Sequence, residues 1–375
     1  MKIERLCALC TLVACACGGG GGKIQITASG EVLALGGYGF PPASADAPAF
    51  ADGWEVRFDK LLATIDQVTL SQGPDTSPTD ESKTGKAVAR VTGPWAVDLH
   101  QGGPLAGKGG SDEQAIAVTT IENQNLAGGA AFDASTRYAF GFDLVAATAT
   151  ATRLNVDATD PDYAEMIQKG YVVYYVGHAT WKGGACTSTN PAFDFSSLPT
   201  SVIFKLGFKS PATYVNCQNP DNAPATPLGN EDNQRGIQIA GNATTTAQVT
   251  VHTDHPFWES IVHDSPAHFD PLAALAKKIG GDAVVTLEDA VGTDYTAFKA
   301  GALPLPWRAC QPGYSPPNAA PQMGFDSLTL PHNPTGSPAT SLRDYADYLT
   351  YNQSTQGHLN SDGLCFVQRN YPSPD

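Results

Sequence analysis

The chain has 375 residues, with 22 basic against 37 acidic side chains and a formal net charge of −15 at pH 7. Nucleic-acid-binding proteins need clustered Lys and Arg, so this balance argues against nucleic acid as a partner. It also argues against electrostatic binding to an anionic membrane surface. Charged residues make up only 16% of the chain, and an acidic surface of this kind suits a soluble exported protein.

The first 22 residues have the organisation of an export signal. Lys2 and Arg5 form a short basic end, and the apolar run at 6–13 is too short to span a bilayer. A Leu-Val-Ala-Cys sequence ending at Cys15 follows, and then five glycines at 18–22. This segment resembles the signal peptide and lipobox of a bacterial lipoprotein. An ordinary secretory signal is the alternative.

The resemblance to bacterial lipoproteins has consequences for processing and location. It implies that residues 1–14 are removed and that the sulfur of Cys15 carries a diacylglyceryl group, with Cys17 as a second possible acceptor. Ala16 follows Cys15 where Asp would signal retention, which implies sorting to the outer membrane. Residues 15–22 would then be a lipidated, flexible tether, and the membrane would be a partner through the lipid. We therefore expect an exported protein on the periplasmic or cell-surface face of the outer membrane.

Cysteine usage agrees with export. Cys7 and Cys10 would leave with the signal peptide, and the mature chain has no CxxC spacing, which argues against a redox motif or a cysteine zinc site. An even number in the folded body suits two disulfides with three possible pairings. Sequence order favours pairing the first with the second and the third with the fourth. These cysteines are Cys186, Cys217, Cys310 and Cys365.

Residues 23–251 have the pattern of a β domain. Short alternating or apolar runs are separated by Gly, Pro, Asp and Asn, as in an antiparallel β-sandwich or a barrel-like fold. The run at 170–181 is apolar on both faces, which predicts a central strand, and a helical turn at 163–168 precedes it. The predicted strands are 23–27, 54–63, 65–71, 87–92, 115–122, 137–147, 170–181, 201–208, 236–239 and 247–251.

The chain changes character at His252, and residues 252–375 are predicted to form a smaller helix- and loop-rich region packed on the β body. Residues 303–338 within it are Pro-rich and irregular. Caps and apolar periodicity mark the helices. The predicted helices are 256–262, 266–279 with Ser265 as its cap, and 342–352 with Ser341 as its cap.

One stretch, 249–279, contains four of the eight histidines together with several carboxylates. Neutral imidazole and carboxylate are good ligands for zinc and copper when three or four of them converge on rigid elements. A strand end, a short helix and the first turn of a second helix could bring them together. The candidate metal ligands are His252, His255, Glu259, His263 and His268.

A structural interpretation of the same stretch stays open. The HExxH spacing of zinc peptidases is absent. On a helical wheel His268 shares the inward stripe of Leu272, which is typical of a core histidine, and Asp270 lies opposite and is predicted to face water. Outside this stretch, His100 is predicted to be an exposed loop residue and His178 a structural residue on a sheet face.

The segments VTVHTDHPFW, AHFDPLAAL, SLRDYADYL and GHLNSDGLC resemble a group of uncharacterised bacterial surface lipoproteins over roughly 244–365. The resemblance implies no activity. Some members carry an EF-hand-like loop, which needs oxygen ligands at its first, third and fifth positions. Only Asp282 and Asp289 fit when this loop is placed on 278–289, so we do not expect calcium there.

Three functions are compatible with the sequence. The favoured one is a binding lipoprotein with a His-rich zinc or copper site. The second is a structural or adhesive surface module without metal. The third is a metal-dependent hydrolase that uses His252, His255 and Glu259, although no GxSxG, SxxK or paired-carboxylate signature supports an enzyme. We therefore assign no catalytic residues.

Overall fold

The computed structural model describes residues 21–110, 112–188, 193–225, 228, 231–259, 265–294, 308–311, 333–337 and 341–369. The expected signal peptide and Cys15 lie outside these residues, as do His263 and most of the Pro-rich segment 303–338. Strands far outnumber helices in the described part of the chain, which confirms the mainly β fold class.

The strands, in chain order, are Lys23–Ser29 (β1), Trp54–Ser71 (β2), Ala87–Val91 (β3), Trp95–Asp98 (β4), Leu105–Ala106 (β5), Gln114–Ile121 (β6), Arg137–Leu144 (β7), Thr152–Arg153 (β8), Val173–Trp181 (β9), Thr187–Ser188 (β10), Ser201–Phe208 (β11), Ala212–Val215 (β12), Ile237–Gln238 (β13), Thr244–Val251 (β14), Lys277–Ile279 (β15), Asp282–Thr286 (β16), Arg308–Ala309 (β17), Gly357–Leu359 (β18), Gly363–Leu364 (β19) and Phe366–Arg369 (β20). The α-helices are Glu31–Gly36 (α1), Pro161–Lys169 (α2), Asp270–Leu275 (α3) and Tyr345–Gln353 (α4), and 3-10 turns span Phe195–Ser197, His255–Phe257 and Leu287–Ala290.

Two large sheets form the body. One has the strand order β19-β18-β14-β1-β6-β5, and the other runs β15-β16-β11-β9-β2-β7-β12-β20 with the remaining strands except β10 and β17 attached to β2, β4 and β7. Most neighbouring strands are antiparallel, while β1 with β14, β11 with β16 and β4 with β8 are parallel. Both sheets contribute to one buried hydrophobic cluster, as expected for a sandwich-like body.

The longest strand, β2, organises the larger sheet. It pairs with β9 along its first half and with β7 along its second. The sequence predicts two strands here, 54–63 and 65–71, but the backbone continues as one. Register shifts between Phe58 and Lys60 and between Asp66 and Thr69 mark bulges. Bulges bend a strand and increase its twist, which lets one strand curve along two partners.

The predicted central strand is confirmed. β9 lies between β11 and β2, and its residues Val173 and Tyr175 join the main core. Tyr174 faces the other way and packs in a second cluster with Met166 of α2. Helix α2, predicted as a turn at 163–168, is capped by Asp160, whose side chain accepts hydrogen bonds from two backbone amides of the first turn.

The chain after His252 contributes strands to both sheets. β18 pairs with β14 in the smaller sheet, whereas β16 pairs with β11 and β20 pairs with β12 in the larger one. The alternating patterns in these segments are only three to five residues long, too short to identify from sequence.

The predicted helix 266–279 and its Ser265 cap are wrong. Ala267 makes isolated bridges with Phe50 and Trp258, so helix α3 begins only at Asp270, after which Lys277–Ile279 forms a strand with β16.

Asp270 does not face water, contrary to the prediction. It is fully buried and accepts hydrogen bonds from the Trp54 indole at 2.8 Å and from the Arg308 guanidinium at 2.6 and 2.9 Å.

Of the predicted helix 256–262, residues 256–259 are described, and they contain only the 3-10 turn His255–Phe257. The last predicted helix, 342–352, is confirmed in essence as α4. Its cap is Asp344, whose side chain accepts from the amide of Asp347, rather than Ser341.

Two disulfides are present, but sequence order predicts the wrong partners. Cys186 is bonded to Cys310 and Cys217 to Cys365. β10 pairs with β17, which brings Cys186 to Cys310. The amide of Gln218 donates to the carbonyl of Leu364, which brings Cys217 to Cys365. Pairing of distant segments, not sequence distance, therefore decides the connectivity.

The disulfides suggest an extracellular or periplasmic protein, because structural disulfides persist in oxidising compartments. Among the described residues, no helix combines the length and apolar character that a membrane crossing requires.

Peptide mapping without reduction should recover Cys186 linked to Cys310 and Cys217 linked to Cys365. Replacing Cys217 and Cys365 together by Ser should lower the free energy of unfolding by roughly 2–5 kcal/mol, because the bridge closes a long loop in the unfolded chain. Urea unfolding measures this loss. Recovery of a Cys186–Cys217 peptide would contradict the structure.

Candidate metal centre

The candidate site begins on the polar face of β14. Side chains alternate along a strand, and Val249 and Val251 point into the main core. Gln248, Thr250 and, just past the strand end, His252 therefore lie on the opposite face. These polar side chains are buried as well, so this face of the strand is covered and its groups need partners.

β18 brings a second histidine to His252. In the antiparallel register Thr250 lies opposite His358 and Val251 opposite Gly357, and the amide of His252 donates to the carbonyl of Gln356 at 3.0 Å. His252 and His358 are thus diagonal neighbours on one sheet face, a position from which side chains touch. Their rings stack with centroids 4.0 Å apart and planes at 22°.

His255 completes the group from the 3-10 turn that follows β14. Its ring lies 5.4 Å from that of His252 and 5.3 Å from that of His358, at 86° to both. Its Nδ1 lies 2.6 Å from the hydroxyl of Thr355, and the Trp258 ring stacks on it with centroids 3.7 Å apart. These contacts hold the imidazole in one orientation.

The three histidines can hold a metal ion. One ring nitrogen of each lies within 4.8 Å of one from each of the other two, and His252 is 9% exposed and the other two 1%. Donor atoms around a tetrahedral zinc lie roughly 3.3 Å apart, from Zn–N bonds of about 2.0–2.1 Å. An ion also lies in the plane of each imidazole that binds it, so the stacked His252 or His358 ring must rotate on binding. Imidazole donors suit zinc, copper, iron and nickel.

A second group of possible ligands shares His252. Glu31, His252 and Asp362 also offer donor atoms within 4.8 Å of one another. His252 Nε2 lies 3.6 Å from Glu31 Oε1 and 3.2 Å from the carbonyl oxygen of Ser361. The hydroxyl of Ser361 donates to Glu31 Oε1 at 2.8 Å, so the turn after β18 fixes the carboxylate beside the imidazole.

The surroundings of Glu31 are acidic. Burial raises the pKa of the Glu31 carboxyl; His252 opposes this, while the charges of Glu113 and Asp362 add to it. Glu113 is itself buried and accepts a hydrogen bond from Gln248 Nε2 at 2.6 Å. Several carboxylates therefore lie around the polar face of β14.

The other predicted ligands lie elsewhere or outside the described residues. His268 Nε2 pairs with Glu259 at 2.7 Å, and in the described part of the chain neither residue belongs to a three-donor group. His263 is among the residues not described. His100 binds the carbonyl of Ala34 at 2.7 Å, and His178 is half-exposed beside an acidic side chain.

His268 belongs instead to a buried cluster of charges. Its Nδ1 lies 3.9 Å from Asp52 Oδ2, which accepts hydrogen bonds from the amides of Phe269 and Asp270 at 2.6 Å each. Burial and the neighbouring Asp270 raise the pKa of Asp52 to about 7. Burial alone would lower the pKa of His268, but the hydrogen bond to Glu259 and the charge of Asp52 outweigh it and raise the pKa.

Three residues of the two donor groups have no ligand role in the sequence-based prediction: His358, Glu31 and Asp362. Their distances from His252 in the sequence match no known ligand spacing, because only the pairing of strands brings these residues together. The Ser-Asp-Gly turn after His358 is the one local sign of a hairpin there.

Comparisons of the chain with protein-family models, with curated proteins and with solved structures find no significant match.

The buried cluster should make the protein more stable in mild acid than above neutral pH. Folded Asp52 keeps its proton to about pH 7, while an unfolded Asp loses it near about 3.9. His268 also keeps its proton to higher pH when folded. The folded state thus binds more protons than the unfolded state, and the free energy of unfolding falls as the pH rises from about 4 through 7. Urea unfolding at several pH values measures this slope.

Asp52→Asn should flatten that slope, and Asp59→Asn, at an exposed position, should leave it unchanged. Equal slopes in the wild type and in Asp52→Asn would refute the assignment.

Proposed function

We propose that the protein is an exported binding protein that holds a transition-metal ion at His252, His255 and His358. The observation that carries this proposal is the convergence of three buried imidazoles whose donor atoms lie within 4.8 Å of one another. Their positions come from a strand end, a short turn and a paired strand, and rigid elements of this kind hold ligands in place.

Zinc and copper are the ions that this donor set fits best. All ligands are imidazole nitrogens, with carboxylate oxygens nearby, and such donors suit both metals. The four cysteines of the described body are bonded in disulfides, so they cannot supply thiolates. The hydrogen bond between His255 Nδ1 and the Thr355 hydroxyl orients a ligand in the way that outer-shell partners do.

We also propose that the protein is anchored to the outer membrane by a lipid on Cys15, with residues 15–22 as a tether. The lipobox and the glycine run support this proposal, and the disulfides agree with the compartment. The metal site would then face the periplasm or the cell exterior, where an ion can be taken up directly.

A structural or adhesive module without metal is the second candidate. It is favoured by a groove of about 420 Å³ on the outer face of the larger sheet. Gly141 lies among its lining residues, with the hydroxyls of Thr69 and Thr213 and the charges of Arg90 and Asp143, which suits a polar ligand. A hydrolase is not proposed, because Glu259 binds His268.

The purified protein should bind about one equivalent of zinc or copper, and His252→Ala, His255→Ala and His358→Ala should each abolish stoichiometric binding. Each change removes one of three imidazole donors. Elemental analysis after loading and desalting measures the bound metal. Binding should raise the melting temperature, since a ligand that binds only the folded state stabilises it.

His178→Ala and His268→Ala are matched controls and should keep the metal, because neither belongs to the trio. His268→Ala should still lower the melting temperature, since it leaves Glu259 without its 2.7 Å partner. Less than about one-fifth of an equivalent of bound metal in the wild type would contradict the proposed metal site.

Membrane attachment should depend on one thiol. Cys15→Ser should release the protein from the membrane fraction and block metabolic labelling with a fatty acid. Cys17→Ser is the control and should leave both unchanged. A Cys15→Ser protein that still fractionates with the outer membrane would refute the lipid anchor, and release by Cys17→Ser alone would show that Cys17 is the acceptor.

A further inference from the structure

The polar face of β14 offers ligands of a second type beside the histidine trio. Glu31, from the first turn of α1, and Asp362, from the turn between β18 and β19, lie with His252 in one group of donor atoms. The carbonyl oxygen of Ser361 lies at the same place, 3.2 Å from His252 Nε2. Two carboxylates and one carbonyl oxygen therefore lie close to the same imidazole.

We infer that Glu31, Asp362, the Ser361 carbonyl and His252 form a separate site for a divalent cation that prefers oxygen ligands, such as Mn²⁺. This site shares His252 with the proposed function but does not depend on metal binding by the three histidines. Carboxylate and carbonyl oxygens favour manganese, magnesium and calcium, whereas imidazole donors favour zinc and copper. The single imidazole selects manganese over magnesium and calcium, which bind nitrogen poorly.

The distances suit a small cation. His252 Nε2 is 3.6 Å from Glu31 Oε1 and 3.2 Å from the Ser361 oxygen. Adjacent ligands of a six-coordinate ion with bonds of about 2.1–2.2 Å lie roughly 3.0–3.1 Å apart. Small shifts of the two carboxylates would bring the four protein donors to such distances, and water would fill the remaining positions. The proton that His252 holds on Nε2 against the Ser361 oxygen moves to Nδ1 when the ion binds Nε2.

The local charge favours a cation. The charges of Glu113 and Asp362 both act on Glu31. Glu31 is largely buried and Asp362 is exposed. Repulsion among these carboxylates is relieved by a divalent ion. The exposed Asp362 gives the ion a route from solvent, and the buried Glu31 holds it beside His252.

The backbone at this site is held in costly conformations. Glu31 and Ser361 have left-handed φ angles of 61° and 74°. The two residues are joined by the hydrogen bond from the Ser361 hydroxyl to the Glu31 carboxylate. A non-glycine residue in this region is strained, and such residues cluster at functional sites. Here the two strained residues supply two of the proposed ligands.

Titration with Mn²⁺ alone, followed by electron paramagnetic resonance of the free ion, tests the site. The wild type should bind one equivalent. Glu31→Gln and Asp362→Asn should weaken Mn²⁺ binding by roughly tenfold or more, since even partners outside the ligand shell are worth about 10–100-fold. The Gln side chain can still accept from Ser361, so the fold should persist. Glu122→Gln, an exposed carboxylate beside Lys23, is the matched control and should bind as the wild type does.

Measurements of zinc binding distinguish the site formed by Glu31, Asp362 and His252 from the histidine trio. Glu31→Gln should keep its equivalent of zinc on the trio, His358→Ala should lose zinc and keep Mn²⁺, and His252→Ala should lose both. Unchanged Mn²⁺ affinity in Glu31→Gln, or no Mn²⁺ binding by the wild type, overturns this inference and leaves the zinc site standing. Loss of Mn²⁺ in Glu31→Gln with neither zinc nor copper bound by the wild type supports this site and overturns the proposed function.

Glu31→Gly covers the case in which Glu31→Gln does not fold. It removes the carboxylate and relieves the left-handed backbone, so a folded protein with weakened Mn²⁺ binding is expected. A folded Glu31→Gly protein with wild-type Mn²⁺ affinity contradicts the inference.

Discussion

The pairing of β18 with β14 is the constraint on which both candidate sites depend. Its register puts His358 diagonally beside His252, and the turn that follows presents Ser361 and Asp362 to the same imidazole. A shift of one residue would move His358 to the opposite face, because side chains alternate with a period of two. The turn is held by Asn360, whose side chain accepts from the amide of Gln248 at 2.8 Å, and by the Cys217–Cys365 disulfide just beyond it.

Local patterns in the sequence predict what is local in the structure. The alternation at 247–251 identifies β14, and His252 and His255 follow it directly, so both appear among the predicted ligands. His358 does not, since its only connection with them is a three-residue strand that pairs across the sheet. His268 is buried, as the structural interpretation of this stretch predicts, but it lies before α3 begins and not on a helical stripe with Leu272. Its partner Asp52 lies far away in the sequence and gives no local signal.

The helix at 266–279 fails for a related reason. Apolar periodicity favours a helix there, but the amides of Phe269 and Asp270 bind the Asp52 carboxylate, and Asp270 itself binds Arg308. These contacts fix the chain in a bridge before the helix can start. Arg308 is held next to Cys310, whose disulfide reaches Cys186. The buried pair of Asp270 and Arg308 thus links α3 with the segment 308–311, and the Trp54 indole at the start of β2 donates to the same Asp270. Removing one partner of such a pair strongly destabilises a protein.

Packing alone gives little reason to place three imidazoles against one another. A buried polar ring needs hydrogen-bond partners, and apolar residues of similar volume fill a core at lower cost. The stacked rings of His252 and His358 and the strained Glu31 and Ser361 occur together at one end of β14, whereas the other face of the same strand is filled by Val249 and Val251. Departures from good local chemistry are expected where a site must be preserved. The concentration of several departures around His252 therefore supports the proposal that this end of β14 binds a ligand.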